Sequence, residues 1–129
     1  MADTPFAYSG RLVVSIGVAD LDAAIGWYGR ALGFETAYRL DGYGWAEVRT
    51  PVTGVTVGLG QVEEVVPGGP TPVFGVEDIE AARAHLEGLD VRFDGETREV
   101  DGMVRLATFY DPDGNTLMLS QSLQPAEER

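Results

Sequence analysis

The chain has 129 residues, enough for one domain with a sizeable core and too few for two ordinary domains, although two small half-modules sharing a sheet fit that length. Its formal net charge is −12 and all nine basic residues are arginine; such a balance repels phosphate backbones, which excludes nucleic acid as the expected partner. There is no cysteine, no run near the roughly 20 apolar residues that span a bilayer, and no basic-then-apolar leader, so disulfides, thiolate chemistry and membrane contact are excluded and a cytoplasmic protein is the default.

Residues 1–10 carry no pattern and read as a loose arm. From Leu12 to Val18 the alternation is regular, with Val14, Ile16 and Val18 on one face and Val13, Ser15 and Gly17 on the other, which predicts a strand. Asp20 stands at a helix N-cap position, Leu21, Ala24, Ile25, Tyr28 and Leu32 recur at helical spacing, and Gly33 supplies the stop. Short strands follow over Glu35 to Leu40, Gly44 to Thr50 and Val55 to Gly60, separated by Asp41-Gly42 and by Pro51-Val52-Thr53-Gly54. A Pro- and Gly-rich connector spans 62–70. Beyond it the pattern returns: a strand over Thr71 to Val76, a helix capped by Asp78 through Ile79, Ala82 and Leu86, and strands over Val91 to Phe93, Met103 to Tyr110 and Thr116 to Gln121. Asp111-Pro112-Asp113-Gly114-Asn115 is turn chemistry, and after it Leu117 and Leu119 should face a core while Met118 looks the other way. Residues 122–129 read as a frayed polar tail.

The halves repeat. Val18-Ala19-Asp20-Leu21 matches Val76-Glu77-Asp78-Ile79, and Gly54 before a strand matches Gly114. Two copies of one βαβββ unit are implied, module 1 over about 11–61 and module 2 over about 71–121 of a single domain, an α+β fold of curved mixed sheets. One helix covers one sheet face, so the other face must line a shared cavity or meet another chain, and a homodimer is expected.

This repeat, the opening Val18, Asp20, Leu21, Ala24 and Tyr28, the Leu32-Gly33-Phe34 step and the closing turn at 111–115 resemble the vicinal oxygen chelate superfamily over residues 12–121. That group holds glyoxalase I, extradiol dioxygenases and the fosfomycin and bleomycin resistance proteins. In its metal-dependent members the resemblance implies ligands at the positions of Val13, Gly58, Thr71 and Met118 in this chain. None of the four offers a donor suited to a hard or borderline divalent cation. No cofactor is therefore expected, and a divalent metal is disfavoured.

Aligning Gly54 with Gly114 puts Ala46, Val48, Leu106 and Thr108 on the helix side. Trp45, Glu47, Arg49, Arg105, Ala107 and Phe109 then face inward, with Ser15, Gly17, Thr56, Gly58, Met118 and Ser120 completing the lining. Trp45 and Phe109 would stack on a ligand and Glu47 would face a cationic group, while in a metal-free enzyme Arg105 or Arg49 would stabilise a developing oxyanion. Alternatively Glu47 pairs with Arg105 or Arg49 as a structural ion pair. His85 falls off the apolar helix face, and Glu63, Glu64, Asp111 and Asp113 read as connector and turn residues. Two functions fit. One is a metal-free protein that binds a small organic molecule, a drug or secondary metabolite, as the bleomycin resistance branch does. The other is a lyase, isomerase or dioxygenase, metal-dependent through unusual ligands or metal-free with Glu47 as general base.

Overall fold

A computed structural model describes residues 4, 5 and 7–123. Contacts divide the chain into two compact units, Met1–Val62 and Glu63–Arg129. Unit 1 runs β1 (Leu12–Val18), α1 (Leu21–Leu32), β2 (Glu35–Leu40), β3 (Trp45–Arg49) and β4 (Val55–Gln61), with sheet order β1-β4-β3-β2. β4 pairs parallel with β1 and antiparallel with β3, and β2 closes the other edge. Asp20 caps α1 by accepting from the Ala23 N–H at 3.0 Å, and Gly33 ends it in the left-handed region at φ 77°. α1 lies over β3 and β4. Its buried stripe of Leu21, Ala24, Tyr28 and Ala31 covers Ala46, Val48, Val57 and Leu59, all at most 1 % exposed. Burying each larger side chain contributes about 1.5–3 kcal/mol. Gln61 fastens the helix start, its Oε1 accepting from the Leu21 N–H at 2.8 Å.

Unit 2 repeats the plan with β5 (Val73–Gly75), α2 (Ile79–Gly88), β6 (Arg98–Val100), β7 (Val104–Tyr110) and β8 (Thr116–Ser122), in the order β5-β8-β7-β6. Asp78 caps α2 through the Ala81 N–H, and Gln121 accepts from the Ile79 N–H at 2.8 Å as Gln61 does from Leu21. Neither sheet closes on itself. The fold is the expected pair of βαβββ modules.

Three expectations need comment. Residues 91–93 do not form the second strand of unit 2; only a bridge from Phe93 to Phe109 forms there, and the ladder strand is β6. Around that bridge the Arg92 carbonyl accepts from the Tyr110 N–H and the Asp94 N–H donates to the Thr108 carbonyl, and the contact with β7 goes no further because Arg83 of α2, whose guanidinium lies 4.2 Å over the Phe93 ring, donates to the Gly95 carbonyl and the Thr97 hydroxyl. The tail begins later than predicted, since β8 runs to Ser122 and the Leu123 N–H donates to the Met103 carbonyl. Residues 124–129, like 1–3 and 6 of the expected arm, lie outside the described residues.

The third concerns which way β7 faces. Ala107 and Phe109 are buried opposite Leu119 and Leu117, Phe109 packs on Phe93 at 5.6 Å, and Arg105 pairs with Glu80 of α2 at 3.1 Å. Arg105, Ala107 and Phe109 therefore lie on the helix side, while Leu106 and Thr108, opposite Ser120 and Met118, take the other face. The expectation failed at the turn. Six residues, 50–55, separate the paired Arg49 and Thr56, but only five, 111–115, separate Tyr110 and Thr116. An alignment anchored on Gly54 and Gly114 is right for β4 and β8 and off by one for β3 and β7, and one residue reverses every side chain of a strand. Leu117 and Leu119 are buried with Met118 on the opposite face, as expected.

Candidate functional site in unit 1

The face of the unit 1 sheet turned away from α1 is a grid set by register. Val13, Thr56 and Arg49 form one row, Ser15, Gly58 and Glu47 the next, and Gly17, Gly60 and Trp45 a third. β2 adds Tyr38 opposite Glu47 because the register shifts between Thr36 and Tyr38. The Trp45 indole occupies space that Gly58 and Gly60 leave, since a Cβ at Gly58 would run into that ring and one at Gly60 would lie 3.5 Å from it.

Glu47 is the buried charge of this face, 5 % exposed. The Tyr38 hydroxyl donates to its Oε1 at 2.6 Å, the Thr56 hydroxyl donates to its Oε2 at 2.8 Å, and an Arg11 Nη approaches Oε2 at 3.4 Å. The Tyr38 hydrogen bond holds the Glu47 carboxyl below the ordinary carboxylate range; burial works against this, and Thr56 and Arg11 add to it. Beside this network lies an open cleft of about 600 Å³. Arg11, Ala37, Tyr38, Glu47 and Arg49 line one part of it, and residues 50–56 line the rest.

The structure therefore brings together Glu47, Arg49 and Thr56 of the predicted set in one cleft. Trp45 and Ser15 share the face but stand outside the cleft lining. Arg105 and Phe109 belong to the helix side of unit 2, and Met118 to that unit's other face. Glu47 pairs with neither Arg105 nor Arg49. Its partners Tyr38 and Arg11 were missed. Arg11 had a signal, because extending the alternation of 13, 15 and 17 backwards reaches it; Tyr38 had none, because a register shift put it there. His85, Glu63 and Glu64 are exposed. Asp111 is 3 % exposed and structural: its Oδ1 accepts from the Asp113 and Asn115 N–H groups and its Oδ2 from the Asn115 amide, each at 2.9 Å.

Two of the positions where the resemblance implies metal ligands, those of Gly58 and Val13, lie on this face. Gly58 offers no side chain, its space is taken by Trp45, and Val13 beside Thr56 is apolar. Among the described residues no group of three or more His, Cys, Asp and Glu side chains is placed to hold a metal ion.

The sequence profile of the Glyoxalase/Bleomycin resistance protein/Dioxygenase superfamily matches residues 11–119, and the chain belongs to that superfamily. No curated protein matches it in sequence. A superfamily member from Sphaerobacter thermophilus DSM 20745 is similar in structure, with 26 % identity over 91 % of this chain and 98 % of that one and a TM-score of 0.76. TnmS3, an antibiotic binding protein from Streptomyces sp. CB03234, shows 22 % identity over 93 % and 99 % of the two chains and a TM-score of 0.71. The fosfomycin resistance protein FosX of Listeria monocytogenes shows 18 % identity over 95 % and 96 %, with a TM-score of 0.74.

Proposed function

We propose that this protein binds a small organic molecule, a drug or secondary metabolite, in the unit 1 cleft, within a single two-module domain. The observation that carries the reading is the buried Glu47 with its three donors at the wall of an open cleft of about 600 Å³, a size suited to a small-molecule site. A buried carboxylate with a complete set of partners is a rigid scaffold on which neighbouring donors are held in place. That the fold can serve binding is illustrated by TnmS3, though a shared fold alone does not transfer function.

The enzymatic alternative draws less support from the same network. Glu47 as general base needs a carboxyl whose proton affinity is raised toward neutrality, and the Tyr38 and Thr56 hydroxyls act in the opposite direction. We further propose a cytoplasmic homodimer, because β1 and β5 are sheet edges carrying exposed Leu12, Val13 and Val73. Sedimentation at micromolar concentration should show a species of twice the chain mass, and a monomer would count against the dimer.

The binding reading is tested by screening a small-molecule library against isotopically labelled protein by amide chemical shift. Hits should move the signals of Tyr38, Thr53 and Thr56 together. Hits that cluster only on unit 2 would move the site elsewhere.

A further inference from the structure

Resting on the reading that this cleft is the binding site, we infer that its ligand is an organic anion, a carboxylate or other oxyanion on an apolar or aromatic body, held by Arg11 and Arg49. Charge is the first argument. The chain carries −12 overall, yet the cleft lining contains two arginines and one acid. That acid is already engaged: Glu47 accepts from Tyr38, Thr56 and Arg11, so it is poorly placed to receive a cation from solution.

The arginines are in the opposite condition. Arg11 meets Glu47 through one Nη at 3.4 Å and its side chain is 64 % exposed. Among the described residues Arg49 makes only a 3.4 Å contact to the Thr36 carbonyl. A guanidinium has five N–H donors, so most of those on both residues have no protein acceptor among the described residues. Both stand beside Thr56. Arg49 pairs with it from β3, and Arg11 precedes β1 on the alternation of Val13, which pairs with it from the other side. An oxyanion placed there could take donors from both.

The cleft walls fit the body of the ligand. Ala37, Pro51, Val52 and Val55 give the cleft apolar walls, and its volume far exceeds that of a bare inorganic anion. The groove of about 520 Å³ beside α2 serves as a control. There Arg83 pairs with Glu87 and Arg105 with Glu80, so each cation is already answered.

The test uses the full chain and three probes, 2-naphthoate, 2-naphthylmethylammonium and inorganic sulfate, followed by amide chemical shifts and calorimetry. Naphthoate should bind in the cleft at least about tenfold more tightly than the ammonium or sulfate, and R49Q and R11Q should each weaken it about tenfold, as loss of a charge-assisted hydrogen bond does. Thermal melting of both variants checks that they fold. Preference for the ammonium, with shifts still in the cleft, would overturn the inference and leave the site standing. Sulfate binding as tightly as naphthoate would overturn the organic part, and naphthoate binding indifferent to both substitutions would overturn the arginine assignment. Shifts from no probe in the cleft would remove both the site and the inference.

Discussion

The turn after β3 and the turn after β7 occupy the same place in the two modules and are built in opposite ways. In module 2 the turn is closed on itself: Asp111, buried, takes three hydrogen bonds from Asp113 and Asn115. In module 1 the turn is one residue longer and its corner is Thr50, whose hydroxyl donates to the Val55 carbonyl and accepts from the Val52 N–H. Its residues line a cleft instead of filling one. The facing strands differ in the same sense. Thr108 and Met118 stand in module 2 where Glu47 and Gly58 stand in module 1. A repeat whose copies each carry the same kind of core and helix seat can thus confine its polar chemistry to one of them.

Substitutions at matching positions break or sharpen this contrast. The largest difference is expected at the turn glycines. Gly54 has φ 81° and a Cβ there would run into the Gly10 carbonyl oxygen, whereas Gly114 has φ 87° with only the Pro67 ring nearby at 3.7 Å. Gly54→Ala should cost about 3 kcal/mol or more in urea unfolding, through left-handed strain plus overlap with backbone, against about 1–2 kcal/mol for Gly114→Ala. Equal losses would mean that the Gly10 to Gly54 contact yields without cost.

Next comes the corner residue. Asp111→Ala removes the acceptor of three donors and should lose about 2–3 kcal/mol, while Thr50→Ala should lose about 1 kcal/mol by the same measurement. The reverse order would contradict the picture of a closed second turn.

The third contrast, at Glu47 and Thr108, depends on pH. Because the folded carboxyl is held below its ordinary value near 4.5, Glu47 contributes stability that is fully present above that value and is lost as pH falls through the folded value. Glu47→Gln should cost about 1–2 kcal/mol at neutral pH, and its deficit relative to the parent should shrink on acidification. Thr108→Ala, at the matching position of module 2, should change stability by under about 0.5 kcal/mol with no such pH trend. A deficit that grows below pH 4.5 would reverse the assigned sign.

Much of this was legible in the chain. The caps at Asp20 and Asp78, the stop at Gly33 and the alternation through Leu117 and Leu119 are local signals of short period, and all appear as read. The site was legible only in part. Glu47, Arg49 and Thr56 share a face because β3 and β4 are joined by a hairpin whose parity the sequence carries. Arg105 and Phe109 were misplaced because parity in module 2 was borrowed across a turn of different length, and Tyr38 was missed because the β2 register shift leaves no trace in composition. Period is local information, whereas the facing of a strand depends on counting through every irregularity before it.

The indole resting over Gly58 has a practical use beyond packing. Trp45 is one of two tryptophans, and it sits one row from Glu47 on the same strand. Its emission is thus a built-in optical gauge of the sheet face next to the cleft. Replacing Trp27, the other tryptophan, by phenylalanine would leave a protein that reports on this face by its own light, with no dye attached.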